Sequence, residues 1–212
     1  ELRDETSGVL ASKETKAKMH PDASYWAPGD TLNAAIGQGD NEFSPLQMAK
    51  YISMLANGGN KIDVSIIKTI RNADGTEESR DNINKFVKQK LGLEDDNTEN
   101  LNINKENLKV VLEGMRSVTE EGTAASIFKD FEIAVGGKTG SAEAPGNKVN
   151  AWFAGFAPFD NPEIAVVVMA ENGGHGYYTA DAVKQIMREY FGMNLQNVTE
   201  DVTAMPYTEN FN

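Results

Sequence analysis

Residues 136–141 read Gly-Gly-Lys-Thr-Gly-Ser. A lysine and two hydroxyls this close together suit a carboxylate or a developing oxyanion. Lys138 supplies positive charge, Thr139 and Ser141 supply donors, and a backbone N–H such as that of Ser141 stabilises negative oxygen. In an extended strand the two-residue period puts Thr139 and Ser141 on one side. Gly140, without a side chain, lets another backbone lie close to the strand. The hexapeptide closes an apolar stretch, Phe131 to Val135, that reads as a strand.

Gly-Lys-Thr also occurs in phosphate-binding loops. Such a loop needs a glycine five positions before Gly137, where this chain has Glu132, and it opens a helix, whereas Ser141 is followed by Ala-Glu-Ala-Pro-Gly. A nucleotide site is set aside on both counts. Asp95, Asn97, Glu99 and Glu106 fall at calcium-loop spacings, but Asn100 stands where that loop needs glycine. His20 and His175 are isolated in sequence, so no metal cluster is readable and no cofactor is expected. His175 reads as a loop histidine, with a place in a cleft beside Lys138 as the alternative.

These residues have to be held by a scaffold. The 212 residues are 40% hydrophobic, enough for one sizeable core. A net charge of −12 argues against nucleic acid, whose phosphates need a basic surface. No cysteine is present, which excludes disulfides and thiolate metal sites. The longest apolar run, Ile164 to Ala170, is too short to span a bilayer. The chain starts at Glu1 without an initiator methionine, and the expectation is an excised piece whose export signal or anchor lies upstream.

Residues 1–35 show no period and read as irregular. Ser44 and Pro45 open a helix whose Leu46, Ala49 and Ile52 share a face, and Asn57-Gly58-Gly59 closes it. Val64, Ile66 and Ile70 suggest a strand leading to an Asp74-Gly75 hairpin turn. Residues 77–104 are polar and read as a mobile insertion. Helical spacing returns at Leu108, Val111, Leu112, Met115 and Val118, ending near Gly122, with a short turn or helix at 123–128. After the 131–135 strand, residues 151–157 and 163–171 read as an antiparallel pair, followed by a helix over 179–190 and a loose polar tail, 193–212. Ile164–Ala170 is apolar on both faces, as in a strand covered by helices on both sides. Such a strand wants two neighbours; 151–157 supplies one, and the other is not evident.

Several collinear segments resemble the class B penicillin-binding proteins, the elongation-type group most closely. They are Tyr25-Trp26-Ala27-Pro28-Gly29-Asp30, Ala35-Ile36-Gly37-Gln38-Gly39, Ser44-Pro45-Leu46-Gln47-Met48-Ala49, Gly122-Thr123-Ala124, Gly137-Lys138-Thr139-Gly140-Ser141-Ala142-Glu143, Trp152 to Pro158 and Ala170-Glu171-Asn172-Gly173-Gly174. The resemblance spans roughly residues 5–191 and implies a D,D-transpeptidase that cross-links peptidoglycan stem peptides through an acyl-serine and is acylated by β-lactams. It implies an α/β fold of the serine β-lactamase/transpeptidase type, an antiparallel sheet flanked by helices. Residues 1–192 would be the C-terminal part of that domain. It also implies roles: Lys138 orients substrate and helps proton traffic, Thr139 and Ser141 hold the substrate carboxylate beside Gly140, and the Ser141 N–H completes an oxyanion hole. Partners by the same token are stem peptide, β-lactams, the missing N-terminal part of the domain and the elongation machinery. The implied place is the extracytoplasmic face of a bacterial membrane, with an N-terminal anchor outside this chain.

The family's machinery has three motifs, Ser-x-x-Lys, Ser-x-Asn and Lys-Thr-Gly, and only the third is credible here. Ser65-Ile66-Ile67-Lys68 fits the letters but lies in a stretch of period two, where residues three apart point to opposite faces. Ser126-Ile127-Phe128-Lys129 comes too late in the family's order, and Thr15-Lys16-Ala17-Lys18 lacks the serine. No Ser-x-Asn occurs. The expectation is therefore a chain that is inactive alone, with the nucleophile elsewhere in the parent protein, and a 163–171 strand whose outer edge is exposed, covered by another segment or paired with a second molecule rather than with a strand from residues 1–60. The rival reading is a non-catalytic module of the same fold that binds cell wall or a partner protein.

Overall fold

The computed structural model describes residues 6–62, 64–92, 100–144 and 146–193. The element order is α1 (Lys13–Met19), a 3₁₀ turn (Pro21–Ala23), α2 (Pro28–Ala35), α3 (Pro45–Ala56), α4 (Arg80–Leu91), α5 (Lys105–Glu120), α6 (Ala125–Phe128), β1 (Gly136–Ala144), β2 (Lys148–Ala157), β3 (Ile164–Ala170) and α7 (Tyr177–Tyr190). The strands form one antiparallel sheet in the order β1-β2-β3. This is the α/β arrangement expected, an antiparallel sheet flanked by helices.

The sheet separates two cores because successive side chains of a strand alternate between faces. Phe153 and, on β3, Val166 and Val168 join Phe128, Phe131 and the α7 residues Ala180, Val183 and Met187 on one face. Ala154, Phe156, Ala165 and Val167 meet Ile52 of α3 and Met115 of α5 on the other. The apolar run of β3 is thus covered from both sides, as its composition required. Its outer edge pairs with no strand among the described residues.

Three helices follow their sequence signals closely. Ser44 Oγ accepts from Gln47 N, and Gln47 Oε1 accepts from Ser44 N, a reciprocal cap that starts α3 at Pro45. In α5, Leu108 and Met115 are buried, whereas Val111, on the expected apolar face, is exposed. α7 buries Thr179, Ala180, Val183, Lys184 and Met187, a 3.6-period stripe.

Four expectations change. Phe131–Val135 is not a strand: β1 begins at Gly136, so Lys-Thr-Gly lies inside the strand and not at its end. Ladder pairing is replaced there by other anchors, since Thr119 Oγ1 donates to Val135 O at 2.5 Å and Phe159 N to Ala134 O at 2.8 Å. Residues 64–70 form no strand either, and only an isolated Arg71–Glu77 bridge flanks the turn at Asp74. The guanidinium of Arg80 takes the place of a ladder by donating to Ile67 O (2.7 Å) and Lys68 O (2.9 Å). The polar segment 77–104 carries α4, capped by Ser79 and closed by left-handed Gly92. Residues 1–35, read as irregular, contain α1 and α2, short helices without a single buried residue. Residues 194–212 of the polar tail and the calcium-spacing residues Asp95, Asn97 and Glu99 lie outside the described residues.

Candidate functional site

The approach to β1 is fixed from behind. Lys184 of α7 donates to Ile127 O (2.8 Å) and Asp130 Oδ1 (2.9 Å), and Arg188 donates to Asp130 Oδ2 (2.9 Å). The Lys184 hydrogen bond holds the Asp130 carboxyl below the usual aspartate range, with both cations adding to the effect. The connector from α6 is thereby tied to α7 before the chain enters the sheet.

Gly136 and Gly137, unexplained by sequence, have a packing role. A Cβ on Gly136 would strike the Phe156 ring, and one on Gly137 would lie 2.5 Å from Phe153 Cζ. The two rings cross β1 on opposite faces, and only glycine leaves room for both. At Gly140 an added Cβ would meet Trp152 Cβ at 3.2 Å, with no other described residue within 4 Å except its neighbours. On the opposite face Gly176 packs against the Gly140 and Trp152 backbones so closely that a side chain there is excluded. The loop after β3 therefore lies flat on the sheet level with Lys-Thr-Gly.

The candidate atoms gather along the outer edge of β1. Lys138 is exposed and its ammonium donates to Thr139 O at 2.6 Å. The side-chain amide of Gln38 donates to Ser141 O at 3.0 Å. Both carbonyls are thus engaged from outside the sheet. In an antiparallel ladder the N–H and C=O of one residue point the same way, so the Ser141 N–H faces that same open edge. Thr139 Oγ1 lies 3.2 Å from Thr123 Oγ1. The turn carrying Thr123 is shaped by its neighbours. Gly122 packs on the backbone of Val118, where a Cβ would lie 2.9 Å from Cα, and Ala124 is fully buried. The edge therefore presents one ammonium, three hydroxyls and one N–H, a donor set suited to a carboxylate and an oxyanion.

Lys138, Thr139, Gly140 and Ser141 are brought together as their spacing required. Thr123 and Gln38 join them, and sequence reasoning had not assigned either to the site; their only signal was membership of the recurring Gly-Thr-Ala and Ile-Gly-Gln-Gly segments. Ser65 sits in a non-helical segment where its Oγ accepts from Arg80, and Ser126 is exposed on α6. His175 is exposed and stacks on Tyr177, and His20 pairs with Asp40 at 2.9 Å. Among the described residues no three His, Cys, Asp or Glu side chains converge as a metal site would, and no helix is long and apolar enough to cross a membrane.

Comparison with known proteins gives this geometry a context. Residues 4–192 match the family model described as the penicillin binding protein transpeptidase domain. Peptidoglycan D,D-transpeptidase MrdA of Haemophilus influenzae is 28% identical over 90% of this chain and 30% of its own length. The MrdA of Acinetobacter baumannii is 30% identical over 88% of this chain and 28% of its own length. The chain thus spans less than a third of these relatives. Among solved structures, Pseudomonas aeruginosa PBP2 in complex with WCK 5153 superposes with a TM-score of 0.67 at 30% identity, covering 92% of this chain and 40% of that one. A structure of a peptidoglycan synthase complex that coordinates polymerization and crosslinking gives 0.69 at 31% identity, over 92% of this chain and 30% of that one.

Proposed function

The chain belongs to the penicillin-binding protein transpeptidase family, in its class B, elongation-type group, and on that premise we propose that β1 is the substrate-holding wall of a serine-type D,D-transpeptidase site. The parent enzyme cross-links peptidoglycan stem peptides through an acyl-serine, and β-lactams acylate it by the same step. The observation that carries this reading is the β1 edge, where Lys138, Thr139, Thr123 and the Ser141 N–H converge on one open side of a strand.

Each role follows from chemistry. A stem peptide lying extended along the edge pairs its backbone with β1 as an added strand does. Its terminal carboxylate is met by the hydroxyls of Thr139 and Ser141 and by the charge of Lys138, beside the uncluttered Gly140. The Ser141 N–H donates to the carbonyl oxygen as negative charge develops during attack, which is where donors lower the barrier. Lys138 orients the substrate and assists proton transfer. The attacking serine and its lysine are supplied by another part of the parent, because Ser65 lies in a non-helical segment bonded to Arg80 and Ser126 comes too late in the family's order. In the parent that segment belongs to the N-terminal part of the domain, and its strands cover the open edge of β3. The parent works at the extracytoplasmic face of the membrane, held by an anchor outside this chain, with cell-wall elongation machinery as its partners.

Fluorescent penicillin, read by denaturing gel and intact mass, tests the proposal. The 212-residue chain alone stays unlabelled, and the full-length protein takes one label per molecule. A stoichiometric adduct on the chain alone overturns the placement of the nucleophile. An unlabelled full-length protein overturns the enzyme reading in favour of a non-catalytic binding module.

A further inference from the structure

The edge assigned to substrate is already in use. Gln38 Nε2 stands 3.0 Å from Ser141 O, where the N–H of an added strand would stand, since N–H···O bonds close to about 2.9 Å. Resting on the reading of β1 as the peptide-binding edge, we infer that Gln38 is a latch: its carboxamide fills the hydrogen-bonding place on Ser141 that an incoming amide must take. Ligand entry then exchanges one amide for another.

The loop around Gln38 is built for that exchange. Gly37 (φ +78°) and Gly39 (φ +74°) flank Gln38, both left-handed, a backbone that glycine adopts without strain. On one side the loop is held in place: Asn41 Nδ2 donates to Gln38 O (3.1 Å) and Ala11 N to Asn41 Oδ1 (2.9 Å). Asp40 of the same loop pairs with His20. On the other side the loop continues from α2, which buries nothing and so resists little when the loop shifts. Its contact with β1 is made by a half-buried side chain across 103 positions of sequence.

Saturation kinetics of acylation in the full-length protein, using a fluorescent penicillin with an amide side chain, separate the binding constant Ks from the chemical rate k2. Gln38→Ala is expected to lower Ks about 2- to 10-fold, the net worth of one neutral hydrogen bond, with k2 unchanged. Asn41→Ala leaves Gln38 in place but frees its loop, and is expected to move Ks the same way by less. Unchanged or weaker binding by Gln38→Ala overturns the latch, as does a change confined to k2, while leaving the site where it is proposed. Failure of the wild-type protein to acylate overturns the reading of the edge itself, and the latch with it.

Discussion

The stretch from Lys105 to Tyr190 and the stretch from Gly8 to Phe43 both fold into short regular elements, but for different reasons. Among the described residues the first contains every buried hydrophobic side chain except Ile52 and Ile83. The second contains none; Leu10, Tyr25, Leu32 and Ile36 are each at least 70% exposed. What orders it is polar: Ser12 capping α1, Lys16 paired with Asp30, the Val9–Glu42 bridge and Asn41 accepting from Ala11 N. A region held by burial resists local change because its contacts are shared. A region held by individual hydrogen bonds opens in pieces. The candidate site takes its hydroxyls and ammonium from the first and only Gln38 from the second, so its permanent parts and its adjustable part have separate origins.

That contrast can be broken most forcefully at Phe153. It is fully buried and stacked on Phe128, and Phe153→Ala is expected to cost about 3–5 kcal/mol in denaturant unfolding. A loss under about 1 kcal/mol would mean that the sheet core is not what holds β1. Next comes Thr139→Val, which should leave the unfolding midpoint nearly unchanged yet slow penicillin acylation of the full-length protein about 10- to 100-fold, the range for a hydrogen bond to a charged group. Gly137→Ala places a methyl against Phe153 and is expected to destabilise by about 1–3 kcal/mol, read by thermal melting; a neutral result would show that the ring moves freely.

Smaller effects sharpen the comparison. Asp130 has its carboxyl pKa lowered by Lys184, so its contribution is present above the unfolded aspartate pKa, about 4, and is lost as pH falls through the depressed folded value. Its side chain is 55% exposed, so solvent screening keeps the effect modest. Asp130→Asn should flatten the acid limb of a melting-temperature profile and lower stability slightly near neutral pH. The smallest change is expected at Leu32→Ser on α2, within about 0.5 kcal/mol of wild type. A larger loss there would show that α2 packs on something in the protein as tested.

The sequence made legible whatever rests on periodicity and local capping. The α3 cap, the α5 and α7 stripes and the β2–β3 pair all carry their causes within a dozen residues. Lys138, Thr139 and Ser141 were readable as a unit because one strand holds them. Phe131–Val135 misled because apolar β-formers were read as ladder residues, whereas their backbone is anchored by Thr119 and Phe159 from distant segments. α4 carried legible signals, Ser79 before it and Gly92 after it, which polar composition masked. α1 and α2 lack an apolar stripe, so periodicity had nothing to detect. Thr123 and Gln38 reach the site by tertiary folding alone, and no local pattern specifies such a contact.

The glycine pair at the start of β1 has one further consequence, for alignment. The rings of Phe153 and Phe156 each cross the strand where no Cβ exists, and those two places are adjacent. Sliding β1 along β2 by one residue in either direction would bring Val135 or Lys138 under a ring, and sliding it by two would bring Ala134 or Thr139 as well. Each carries a Cβ. A one-residue slip would also exchange the faces of all nine strand residues. The two glycines therefore act as a key cut for a single register, and the Thr139 and Ser141 carbonyls meet the open edge because no neighbouring alignment closes.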